Sequence, residues 1–124
     1  MLKCIEEFGK YAVITGFRNV KIKDTEEFLK KIRKKKGSNV EAQFFDAKYV
    51  ATWQHLYFAT LNALTAFRNK RNISKNVTME VMLYASAQRQ IRKAVDMLGI
   101  KPDSSQVAVL VIAETKQGAN TALE

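Results

Sequence analysis

Apolar and polar positions along this chain fall into blocks whose spacing changes from strand-like to helix-like and back. Leu2 to Phe8 and Tyr11 to Phe17 are dense in strand-forming residues, and Gly9-Lys10 between them predicts a tight turn. Alternation in the second run is imperfect, which predicts a strand buried on both faces. Asp24-Thr25-Glu26-Glu27 opens a helix, with Asp24 placed to cap it and Glu27 in capping-box position. Phe28, Leu29 and Ile32 give that helix a narrow apolar stripe. It ends in the basic run Lys30 to Lys36, which complements the helix dipole, and stops at Gly37.

Val40 to Phe45 predicts a third strand. Asp46 then stands as the cap of a long helix from Ala47 to Arg68. On that helix Tyr49, Val50, Trp53, Leu56, Tyr57, Leu61, Leu64 and Phe67 share a face, widened by Ala51, Phe58, Ala59, Ala63 and Ala66. A helix apolar over most of its circumference is buried on more than one side, either in the core or against a partner. A polar, basic loop from Asn69 to Lys75 follows.

The stretch from Ile73 to Ile100 predicts two short helices. Asn76 or Thr78 is placed to cap the first and Ser86 the second. Gly99 is the expected left-handed residue at the end, and Pro102 blocks continuation. Ile91, Ala94, Val95 and Leu98 fall on one face. Gln106 to Ala113 predicts a fourth strand, whose run of Val, Leu and Ile suits a covered central position. Gly118 to Glu124 is a polar tail. The order strand, strand, helix, strand, long helix, two short helices, strand predicts an α/β or α+β layer domain over residues 1–117.

Composition adds four points. At 124 residues with 47% apolar content, the chain is long enough for one domain with a real core. No apolar run approaches the roughly 20 residues of a membrane helix, and Glu6 and Glu7 interrupt any signal-peptide pattern. The single cysteine, Cys4, has no internal disulfide partner and reads as a buried strand residue, which fits a reducing cytoplasm. The fourth point is charge. A net charge of +9 and a pI near 9.8 favour an acidic partner, most often nucleic acid or an anionic membrane surface.

Catalytic chemistry is sparse. His55, the sole histidine, lies mid-helix beside Trp53 and Leu56 without Cys, His or carboxylate neighbours at metal-ligand spacing, so it reads as structural. There is no phosphate-gripping Gly-Lys-Ser/Thr loop and no dinucleotide glycine pattern. Ser74 and Ser86 have no base suggested by the sequence. Glu80 reads as a group that pairs with a cation or caps the backbone before it reads as a catalytic acid.

Basic chemistry is plentiful. Besides Lys30 to Lys36, which reads equally as a solvated helix end, there are Lys70, Arg71 and Lys75 with Asn69 and Asn72 in the loop. A third group, Arg89, Gln90, Arg92 and Lys93, belongs to the last helix. The last two groups flank the same helix pair, and the plain reading is charge scattered around a hairpin. The functional reading rests on Gln88-Arg89-Gln90. Planar amides and a guanidinium at a helix start suit phosphates and bases of a single strand. Tyr84 offers a stacking face, although a tyrosine in such a setting is more often core.

A family resemblance sharpens this picture. Asp46, Val50, His55, Ala59 and Ala63, followed by Ile73, Glu80, Ala85-Ser86, Gln88-Arg89-Gln90-Ile91, Ala94 and Gly99, resemble the PRPK-binding-protein (CGI-type) family. That family supplies the small kinase-binding subunit of the KEOPS complex. The resemblance covers roughly residues 40–112. It implies a non-catalytic, cytoplasmic subunit without a cofactor or a membrane partner. Such a subunit binds the kinase-like ATPase of KEOPS and the single-stranded CCA end of tRNA, in a complex that installs threonylcarbamoyl on the adenosine beside the anticodon. The implied tRNA set here is Asn72, Lys75, Arg89 and Gln90, to which the loop and helix cations Lys70, Arg71 and Arg92 are added. The ATPase contact is expected on the apolar excess of the helices, at Phe58, Met79, Met82 and Leu83. The competing readings are a stand-alone RNA- or DNA-binding domain and a small enzyme acting on an anionic substrate.

Overall fold

The computed structural model describes residues 2–5, 8–18, 27, 40–101 and 104–115. The predicted helix at 24–36 with its lysine run, Pro102 and the polar tail lie outside these residues, apart from Glu27, which is helical and exposed.

Four strands form one antiparallel sheet in the order β1-β2-β4-β3. They are β1 (Leu2–Ile5), β2 (Lys10–Arg18), β3 (Val40–Asp46) and β4 (Gln106–Ala113). β1 ends at Ile5, three residues before the predicted boundary at Phe8. Ile5 pairs with Lys10, and Gly9, immediately before β2, supplies a positive φ of +62°. Because every strand pairing is antiparallel, the α+β form of the expected class is the one adopted.

β4 takes the predicted central place, and from Val107 to Ala113 it is buried without interruption. The register explains this. Ile14 pairs with Leu110 and Phe45 with Ala108, which puts these four on the helix-bearing face with Ala12 and Ile112. Val13 pairs with Val111 and Phe44 with Val109 on the opposite face, where they form a second apolar cluster with Val107 and Ala113. A slip of one residue would exchange the two sets, so both clusters pin the register. Ala12, Val13 and Ile14 are buried in succession, as their imperfect alternation predicts.

The predicted long helix is divided. Ala47–Tyr49 is a single 3₁₀ turn, Val50 returns to extended backbone, and α1 runs from Trp53 to Arg68. Asp46 caps the turn. One carboxylate oxygen accepts from Lys48 N at 3.1 Å and the other from the Ser104 hydroxyl at 3.0 Å, which ties the turn to the segment before β4. Asp46 therefore caps a turn and not α1. Val50 is left half-buried against the core, whereas Tyr49 is 52% exposed.

His55 repairs the break. Its Nδ1 accepts from Ala51 N at 3.4 Å, which makes Nε2 the donor to Ala85 O at 2.8 Å. The imidazole thus links the start of α1 to the end of α2 (Val77–Ser86), in the structural role the sequence suggests. α1 packs on β2 and against α2, and α2 packs on β3. Leu56, Ala59, Ala63 and Leu64 of α1 meet Val81, Met82 and Leu83 of α2 in one core cluster.

α3 (Ile91–Leu98) closes the helical layer. Its predicted stripe is only half covered: Ala94 and Leu98 are buried, while Ile91 and Val95 are 41% and 38% exposed. One open cap assignment resolves to an expected residue, and two change. Asn76 caps α2 by accepting from Thr78 N and Met79 N, so Thr78 is a helical residue. Ser86 is the last residue of α2 and donates to Leu83 O instead of capping α3. Gly99 has extended backbone (φ −69°, ψ 156°) and ends α3 for a steric reason, since a Cβ there would lie 2.5 Å from Val95 O.

Candidate functional site

Two helix ends build the site. At the end of α1, Lys70 takes the left-handed conformation (φ 56°), Lys70 N donates to Phe67 O and Arg71 N to Ala66 O. At the end of α2, Ala87 does the same (φ 57°), with Ala87 N donating to Tyr84 O and Gln88 N to Leu83 O. Both are Schellman motifs, in which the left-handed residue turns the chain back and satisfies the last carbonyls. The sequence carries no glycine at either position, so neither motif was legible from it.

Glu80 completes the frame. It is 1% exposed, and its carboxylate accepts from Ile73 N (3.0 and 3.1 Å) and Ser74 N (2.7 Å). The carboxylate thus replaces water for two loop N–H groups. It performs the backbone-capping role, and it sets the path of the loop that carries Arg71. Asn72 Nδ2 donates to Ser74 O at 2.8 Å and tightens the same loop.

A cleft of about 510 Å³ results, lined by Arg71, Ile73, Glu80, Leu83, Tyr84, Ala87, Gln88 and Arg89. It follows α2 from residue 80 to residue 87, a length of roughly 10 Å at 1.5 Å per residue. Arg71 and Arg89, which the sequence places in separate basic groups, share this cleft. Tyr84 is 44% exposed on its wall, against the expectation of a core tyrosine, and Ile73 is 47% exposed. α2 buries residues around most of its circumference, so no periodicity marked Tyr84 as the side chain facing out.

The remaining candidates are dispersed. Lys75 lines a different cavity with Lys10, Glu41 and Phe67. Lys70 is exposed and contributes its backbone to the α1 motif. Gln90 and Arg92 are exposed at the start of α3, and neither lines the cleft. Asn72 acts on the loop and does not line the cleft.

Among the residues expected to meet a protein partner, Phe58 is 58% exposed and Met79 is half-buried against the core. Met82 is 2% exposed within the core cluster, which removes it from the surface; Leu83 is equally buried and forms the floor of the cleft. Trp53, Tyr57 and Phe58 stack edge to face along one side of α1, with centroids 5.8 and 5.6 Å apart. Among the described residues, no helix is long and apolar enough to cross a membrane.

Fold and cleft together describe a small antiparallel α+β protein that presents a cation-bearing groove along one helix. Its relatives give that architecture a family. Residues 17–124 match the family of kinase binding protein CGI-121, and the chain belongs to that family. Over 59 residues it is 37% identical to Regulatory protein Cgi121 of Methanocaldococcus jannaschii. That alignment spans 48% of this chain and 38% of the relative's length.

Proposed function

We propose that the protein is a non-catalytic binding subunit that joins a kinase-like ATPase to the single-stranded 3′ end of tRNA within a KEOPS assembly. The kinase arm follows from membership of a kinase-binding family. The RNA arm is supported by one observation above others: two guanidinium groups, an amide and a half-exposed tyrosine ring line a single cleft.

The chemistry suits a frayed strand end. Arginine forks bind phosphate with two parallel hydrogen bonds. Tyr84 offers a flat face for an unpaired base, worth about 1–3 kcal/mol per stacked base. The Gln88 amide supplies both donors and acceptors for a base edge. Within this reading Arg71, Tyr84, Gln88 and Arg89 hold the strand. Lys70, Lys75 and Arg92 act at longer range through charge, and Gln90 offers an uncharged amide at the start of α3. Phe58, with Met79 beside the core, is the side offered to the ATPase. Tethering both partners to one subunit raises their mutual effective concentration.

The test is titration of tRNA against wild type and Arg89→Glu. The reading predicts at least a tenfold loss of affinity with an unchanged circular dichroism spectrum and melting point. Unchanged affinity rejects the RNA arm. The kinase arm is tested separately: Phe58→Glu should abolish co-purification with the kinase-like ATPase while tRNA binding persists.

A further inference from the structure

Gln88 lines two cavities. One is the cleft already described; the other, of about 490 Å³, is lined by Tyr49, Gln88, Lys93, Asp96, Met97 and Lys101. This second cavity lies between the 3₁₀ turn and α3, two elements in contact. Tyr49 reaches it as the last residue of the 3₁₀ turn that Asp46 caps.

The Tyr49 ring gathers positive charge. Lys101 Nζ lies 5.6 Å from its centroid and Lys48 Nζ 5.7 Å. Such cation–π contacts hold each flexible ammonium group at the ring, and of the two Lys101 is the one on the cavity lining. Lys101 is further fixed by donating from Nζ to Gly99 O at 3.3 Å. Lys93 is the second ammonium group on the lining, from the α3 side, and Asp96 is the one carboxylate there. Ammonium groups bind phosphate as point charges and place little demand on its orientation.

We infer that this second cavity is a phosphodiester subsite, which takes the backbone of the nucleotides adjoining those held over Tyr84, with Gln88 at the crossing point. The inference rests on the proposed RNA arm and extends it. The first cleft holds bases and phosphate at the strand end, and the second holds backbone charge only. The recognised strand is therefore longer than the terminal three nucleotides.

Fluorescein-labelled CCA trinucleotide and a hexanucleotide ending in CCA are the probes, titrated against the full chain at several salt concentrations. Each phosphate neutralised on a single strand contributes roughly −0.7 to the slope of log K against log salt. If two further phosphates are held, the hexamer slope is steeper than the trimer slope by about 1.4. Lys93→Gln with Lys101→Gln should abolish that difference and leave the trimer unchanged. Lys93 is exposed, so Lys93→Gln alone keeps the fold and should remove about 0.7 of the slope. Asp96→Asn should tighten the hexamer severalfold without affecting the trimer.

Equal slopes for the two probes in wild type overturn the subsite. So does an equal shift of both probes in the lysine variants, which is the signature of net charge alone. These failures are distinguishable from failure of the RNA arm itself, in which trimer binding would be indifferent to Arg89→Glu.

Discussion

Ala87 holds a left-handed backbone at which L-residues with a Cβ are disfavoured by roughly 1–2 kcal/mol. Glycine there relieves that strain and keeps the Schellman hydrogen bonds. Ala87→Gly should raise unfolding free energy by about 1 kcal/mol in a urea melt. A decrease would mean that the alanine methyl packs against the cleft wall more strongly than the strain opposes it. Glu80 makes the opposite case. Removing its carboxylate strands two loop N–H groups, so Glu80→Ala should cost about 2–3 kcal/mol. Amides at Ile73 and Ser74 should then exchange hydrogen much faster. Loss of an enzymatic turnover with an intact fold would instead return Glu80 to a catalytic role. The sequence made Glu80 legible as a backbone cap because a carboxylate amid apolar neighbours must find donors. It left the exposure of Tyr84 and Tyr49 open, because which side of a short segment faces water is decided by neighbours distant in sequence.

Strands were the most legible elements. Val107 to Ala113 announces a central strand by its apolar density alone, and β3 and β4 fall within a residue of expectation. The long helix was misjudged at its start for a physical reason: Asp46 satisfies the same sequence rule whether it caps a helix or a single turn. Its second oxygen is held by Ser104, 58 residues away, a contact that local sequence does not show. Strand β3 carries a pH-dependent feature of its own. Burial pushes the Glu41 carboxyl above its ordinary value of 4.5, and Lys10 opposes that shift. The folded state therefore holds this proton more tightly than the unfolded chain does. Stability from Glu41 is fully present below pH 4.5 and declines as pH rises through the folded-state value. Glu41→Gln should accordingly be more stable than wild type near neutral pH and lose that advantage in acid, as read from denaturation midpoints across pH 3–8. An advantage that persists unchanged in acid would show that the amide acts through packing.

On the scale of the whole molecule, 21 Lys and Arg residues against 12 Asp and Glu make attraction to polyanions unavoidable. Attraction alone is indifferent to where a strand ends. The cleft supplies what net charge lacks: Arg71 and Arg89 on one lining with a half-exposed tyrosine, carried by two helix ends that turn the same way. The decisive measurement compares full-length tRNA with tRNA trimmed of its terminal CCA, at equal salt, for wild type and Arg89→Glu. End recognition predicts that trimming weakens binding to wild type at least tenfold and that Arg89→Glu binds both forms equally weakly. Equal affinity of wild type for intact and trimmed tRNA would contradict it.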